Sequence, residues 1–172
     1  MHNRQTEDVA QHSHQTAVLA HALGLIDKEV FQKKTCPDKC AAIALYHETA
    51  EVLTGDMPTP VKYRNAQMRE AFFEAEKHAE QRLLDGLPEI LKKGVAARVR
   101  PEKCREAELA AFADKLAAYI KCTEEFSAGN KEFAAALKTA EKQIASFNDE
   151  TVNYFMQSFA PSFSMSLDEL ME

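Results

Sequence analysis

The chain has 172 residues, 45% of them hydrophobic and 28% charged, which suits one domain with a real core and excludes a disordered chain. A formal net charge of -6 argues against non-specific attachment to nucleic acid or to an anionic membrane, while a bound cation could still admit a small anionic substrate. No apolar run approaches the ~20 residues that span a bilayer, and the start, Met1-His2-Asn3-Arg4, has no signal-peptide core. A cytoplasmic protein is therefore expected. The cysteines Cys36, Cys40, Cys104 and Cys122 lack the second paired spacing of a structural zinc site and read as free thiols.

Alanine, leucine, glutamate and lysine dominate, and alternating β-branched runs are scarce, so helix is expected throughout. Thr6 is the expected N-cap of a first helix over about 7–24, ending at Gly24. Asp38 is the expected cap of a second, over about 38–54, with Gly55 at its stop and Ala41, Ile43, Ala44, Leu45, Val52 and Leu53 on its apolar stripe. Pro58 and Pro60 exclude regular helix from Asp56 to Tyr63. A long amphipathic helix covers about 65–85, and a short one about 88–94, after Gly86 and Pro88. Pro101 suits the start of the next and most apolar helix, which runs past Leu109, Phe112, Leu116 and Ile120 to Gly129. Another covers about 132–146, and the tail reads as a short helix, a turn at Pro161 and a last turn capped by Ser166.

Three places carry chemistry. Tyr46-His47-Glu48-Thr49-Ala50-Glu51 sets an imidazole and two carboxylates at a helix end, and residues spaced by three or four share a helix face. Asp114 lies inside the most apolar helix; it is solvated, paired with a lysine, or neutralised by a metal. His12 and His14 point to different faces of the first helix, so one ion would take one of them, and either is otherwise a surface or hydrogen-bonded histidine. His21 and His78 read as ordinary surface residues. His12, His47, Glu48 and Asp114 together would make a mixed nitrogen and oxygen site, suited to manganese, cobalt, iron or zinc rather than calcium. Such an ion lowers the pKa of its water, and Glu51, one turn away, could move a proton.

This order of residues is similar to that of the HD-domain metal-dependent phosphohydrolases. More closely, the chain resembles the bacterial 5′-deoxyribonucleotidases within that superfamily. The resemblance rests on Thr6 to Ser13, Tyr46 to Tyr63, Ala113-Asp114, Ala118 to Cys122, Tyr154-Phe155-Met156, Pro161-Ser162-Phe163 and Ser166 to Glu169. It implies an all-α fold, one compact HD-domain helical bundle over residues 1–172, commonly a homodimer. It implies one divalent ion per chain (manganese, cobalt, magnesium or zinc) held by His12, His47, Glu48 and Asp114. It implies hydrolysis of deoxyribonucleoside or ribonucleoside 5′-monophosphates to nucleoside and phosphate. Glu51 and Asp56 would be catalytic: Glu51 would transfer a proton, and Asp56 would hold the substrate or handle the leaving oxygen. Thr59 and Lys62 would contact the substrate. No nucleic-acid or membrane partner is expected.

Two departures from the family pattern stand out. The family doublet is His-Asp, whereas here it is His47-Glu48; the extra methylene moves the carboxylate by roughly an ångström. The family also carries an N-terminal segment with an Arg-Trp pair near the substrate. This chain has no tryptophan, and that segment is expected to be missing. These departures motivate an alternative, a metal- or nucleotide-binding HD-domain protein with weak or no turnover. A purely structural helical domain would bind no metal.

Overall fold

The computed structural model describes residues 7–55, 57, 59–62 and 64–171. Helices and turns account for the architecture, with no strand among the described residues. Helix α1 (Val9–Leu25) continues into a π-helical turn (Ile26–Val30), followed by α2 (Pro37–Leu45). Two single turns, α3 (Glu51–Thr54) and α4 (Thr59–Lys62), lead to α5 (Ala66–Asp85) and α6 (Glu89–Val99). Then come α7 (Arg105–Ser127), α8 (Ala134–Ser146), α9 (Glu150–Ser158) and α10 (Leu167–Met171). Among the described residues, no helix is long and apolar enough to cross a membrane.

The core lies where α1, α2 and α7 meet, with α8 and α9 closing it. Leu23, Leu109, Leu116, Ile120 and Val152 are fully buried there. Small residues let the helices approach: a Cβ on Gly24 would come within 2.8 Å of the Pro37 Cα and 3.1 Å of Cys40 Sγ. A buried polar clasp fixes the far end. Asp27, 0% exposed, accepts from Arg105 Nη2 at 2.6 Å, Thr151 Oγ1 at 2.6 Å, Thr35 Oγ1 at 2.5 Å and Lys33 Nζ at 3.2 Å. Arg105 also binds Asp149, the N-cap of α9, so the clasp joins the π-helical turn to α7 and α9. Burial alone would raise the Asp27 carboxyl, but its donors hold it well below the usual carboxylate range.

Several boundaries differ from expectation. The cap of α1 is Asp8, which accepts from the Gln11 backbone at 2.8 Å while Gln11 reaches back at 3.1 Å; Thr6 lies outside the described residues. Helix α2 starts one residue before Asp38, with Cys36 as its cap and Pro37 in its first position. It stops at Leu45, and the expected continuous helix is broken by a turn over 46–50. The break resets the helical phase, so Val52 and Leu53, expected on the apolar stripe, are 72% and 50% exposed. Gly55 does stop α3, with φ +71, where glycine alone avoids strain. The proline loop holds one helical turn, Thr59–Lys62, because a proline near a helix start forfeits no intrahelical bond. Helix α6 runs on to Val99, and α7 begins at Arg105 rather than at Pro101.

Candidate metal centre

The donors come from three elements. His12 projects from the first turn of α1, and Asp114 from the middle of α7. His47 and Glu48 sit in the turn that ends α2, where i to i+3 bonds tighten the chain: His47 N to the Ala44 carbonyl at 3.4 Å and Glu51 N to the Glu48 carbonyl at 3.0 Å. The Thr49 hydroxyl adds a bond to the Tyr46 carbonyl at 2.5 Å, taking up an acceptor that a continuing helix would need.

Four donor atoms, one each from His12, His47, Glu48 and Asp114, lie within 4.8 Å of one another. His12 Nε2 is 3.2 Å from Asp114 Oδ1, His47 Nε2 is 3.2 Å from Glu48 Oε1, and His47 Nε2 is 3.7 Å from Asp114 Oδ1. Metal bonds of about 2.1 Å put neighbouring ligands about 3.0–3.4 Å apart, so these separations are close to the edges of one coordination sphere. Each side chain is between 20% and 25% exposed, leaving the group open on one side.

His47 provides the test of fit. Its Nδ1–H donates to the Ala44 carbonyl at 2.6 Å, so in the neutral ring the lone pair is on Nε2. Nε2 is buried and has no hydrogen-bond partner among the described residues. Glu48 Oε1 lies close to it, but off the line along which a ring N–H would donate. A buried lone pair facing two carboxylates is suited to bind a cation.

The electrostatics agree. Burial would lower the His47 pKa, yet the Asp114 and Glu48 carboxylates raise it to about 10. The His47 ring lowers Glu48 to about 2 against its burial. Asp114 also resists its burial: His12, His47 and Lys115 hold it well below the ordinary range. The cavity thus demands positive charge, which a divalent ion meets better than a buried imidazolium.

Around this group stand residues that the sequence alone did not single out. Glu7 Oε1 is 3.7 Å from His12 Nδ1 and is ion-paired with Lys121, which sits two turns along α7 from Asp114. Lys115 donates to Asp114 Oδ2 at 2.7 Å. Of the open readings of Asp114 the lysine pair is observed, and the same carboxylate also faces both histidines. Glu7 and Lys121 gave no local signal, because 114 residues separate them.

Glu51, at the start of α3, is half-buried, and its side chain neighbours Glu48 and helps to lower that carboxyl. Lys62, by contrast, turns toward α5: its Nζ is 2.5 Å from Glu76 Oε1 and 5.7 Å from the centre of the Phe72 ring. It lines a cavity of about 470 Å³ with Ala66, Arg69, Glu70, Phe73 and Glu76. Asp56 lies outside the described residues, as does the side chain of Thr59. His14 is exposed and plays no part in the group, and His21 lies 3.4 Å from the Asp38 carboxylate at the surface.

The fold is that of an HD-domain phosphohydrolase. The crystal structure of one from Listeria innocua superposes with a TM-score of 0.82, covering 94% of this chain and 79% of that one at 22% identity. The chain belongs to the 5′-deoxynucleotidase YfbR-like family, whose pattern matches residues 1–163. It is 46% identical to a 5′-deoxynucleotidase of Enterobacter sp. (strain 638), over 100% of this chain and 87% of that protein. A 5′-deoxynucleotidase of Erwinia tasmaniensis is 46% identical over 100% of this chain and 88% of its own length. The 5′-deoxynucleotidase YfbR of Salmonella arizonae is 44% identical over 100% and 87%. By family the chain is a hydrolase.

Proposed function

We propose that the protein is a metal-dependent phosphomonoesterase that hydrolyses deoxyribonucleoside or ribonucleoside 5′-monophosphates to nucleoside and phosphate. The observation that carries this reading is the buried, partnerless His47 Nε2 inside a four-donor group. Full-length similarity to 5′-deoxynucleotidases supports the substrate class. His12, His47, Glu48 and Asp114 would hold one divalent ion; their mixed donor set suits manganese, cobalt or zinc, and the resemblance adds magnesium. When bound, the ion would activate water near neutral pH and offset phosphate charge.

The remaining roles belong to the chain's own side chains. Glu51 moves a proton to or from the attacking water or the phosphate, and its place beside Glu48 at the start of α3 supports that role. Asp56 holds the substrate or receives the leaving oxygen. Thr59 and Lys62 contact the substrate from the loop between α3 and α5, which requires Lys62 to leave Glu76. The protein acts as a homodimer in the cytoplasm, as a single domain over residues 1–172. Exposed Val52, Leu53, Val61 and Phe73 on α3, α4 and α5 support self-association, and four unpaired cysteines support a reducing compartment.

The test is phosphate release by metal-stripped protein, with manganese, cobalt, magnesium or zinc restored, on matched deoxyribo- and ribonucleoside 5′-monophosphates. Metal-dependent release is expected. Folded protein that releases no phosphate with any of these ions refutes the reading.

A further inference from the structure

The two oxygens of Asp114 face different partners. Oδ1 lies 3.2 Å from His12 Nε2 and 3.7 Å from His47 Nε2, whereas Oδ2 accepts from Lys115 Nζ at 2.7 Å. We propose that Lys115 is a positioning residue: by occupying Oδ2 it restricts Asp114 to one oxygen toward the metal ion and keeps one side of that ion open to phosphate. The inference rests on the metal reading of the site and goes beyond it, to how many positions the protein itself fills.

A carboxylate can chelate an ion through both oxygens or bridge outward through one. A charge-assisted hydrogen bond to the second oxygen opposes chelation. Successive side chains on a helix diverge by about 100°, so Lys115 has no reason of its own to meet its neighbour. Its Nζ nonetheless reaches Oδ2, and the Lys115 side chain is 44% exposed beside a group whose ligands are each about a quarter exposed or less. An ammonium there also adds a cation for an arriving phosphate.

Two effects of opposite sign follow. Removing the ammonium frees Oδ2 and restores the full charge of Asp114, so the metal binds more tightly. The same change closes a position on the ion and removes a cation, so phosphate binds more weakly. A merely structural lysine would weaken both.

The experiment uses the full chain as wild type, Lys115→Met and Lys115→Arg. Manganese affinity is measured from the electron paramagnetic resonance signal of the free ion. Orthophosphate affinity is measured on the manganese-loaded protein by loss of water-proton relaxation enhancement. Neither readout needs turnover. Lys115→Met is expected to bind manganese about tenfold more tightly and orthophosphate about tenfold more weakly, the scale of one charge-assisted hydrogen bond, and Lys115→Arg to stay within about threefold of wild type in both. Unchanged constants in Lys115→Met, or weakening of both, overturn the proposal. Wild type that binds no manganese overturns the metal reading itself, which separates the two failures.

Discussion

Replacing Glu51 with glutamine separates proton transfer from metal binding. Glu51 opens α3, is half-buried, and stands beside Glu48 without being one of the four donors. Glutamine keeps the length of the side chain, and its amide can donate to Glu48, so the turn and the donors should stay in place. What is lost is the ability to accept or deliver a proton. Loss of general acid–base catalysis costs about 10²–10⁴-fold in rate, equivalent to about 3–5 kcal/mol in the barrier. The assay pairs kcat for phosphate release with equilibrium dialysis of manganese. The expected result is a kcat down by at least about a hundredfold, with manganese affinity within about threefold of wild type. A variant that keeps full kcat would show that Glu51 moves no proton. One that loses the metal would show that Glu51 belongs to the coordination sphere, and the assignment of roles would be wrong.

Three further outcomes are expected. Asp27→Ala removes the buried acceptor shared by Arg105, Lys33, Thr35 and Thr151, leaving Arg105 to Asp149 and Glu108, and should cost about 3–5 kcal/mol, a fall in Tm of about 6–20 °C by differential scanning calorimetry. The folded Asp27 carboxyl is held below its unfolded value, so its contribution is complete above about pH 4 and is lost as pH falls; wild type should therefore lose stability faster than the variant on acidification. Gly24→Ala drives a Cβ to 2.8 Å from Pro37 Cα, and the backbone shift should cost about 1–3 kcal/mol in urea unfolding, partly offset by better helix propensity. Stripping the metal should lower Tm relative to protein in manganese at a hundred times Kd, by the equivalent of about 2.7 kcal/mol, and no shift would argue against a folded-state site.

The legible part of the site was its residue chemistry. An aspartate in the most apolar helix, a His-Glu doublet at a helix end and an early histidine stand out because burying such groups is costly without a partner. The turn over 46–50 was not legible. Tyr46-His47-Glu48-Thr49-Ala50 contains no glycine or proline, and each of its residues tolerates helix, so propensity alone continues α2 to the next glycine. The turn sets His47 and Glu48 against donors on α1 and α7, partners that local reading does not see. Its functional consequence is large, because the turn replaces the helix face that would have aligned His47 with Glu51. The buried clasp was hidden for a similar reason, since Asp27 meets partners 78 and 124 residues away. Lys115 was visible only as a neighbour of Asp114, and which oxygen it takes is a matter of geometry. Gly55 was legible because a left-handed stop has few other residues to choose from.

The most direct test of the metal centre is crystallographic: anomalous diffraction at the manganese edge from crystals of the manganese-loaded protein. One strong peak per chain is expected, within about 2.3 Å of His12 Nε2, His47 Nε2 and an oxygen each of Glu48 and Asp114. A peak elsewhere, or none in protein whose manganese content has been measured as one per chain, would contradict the account.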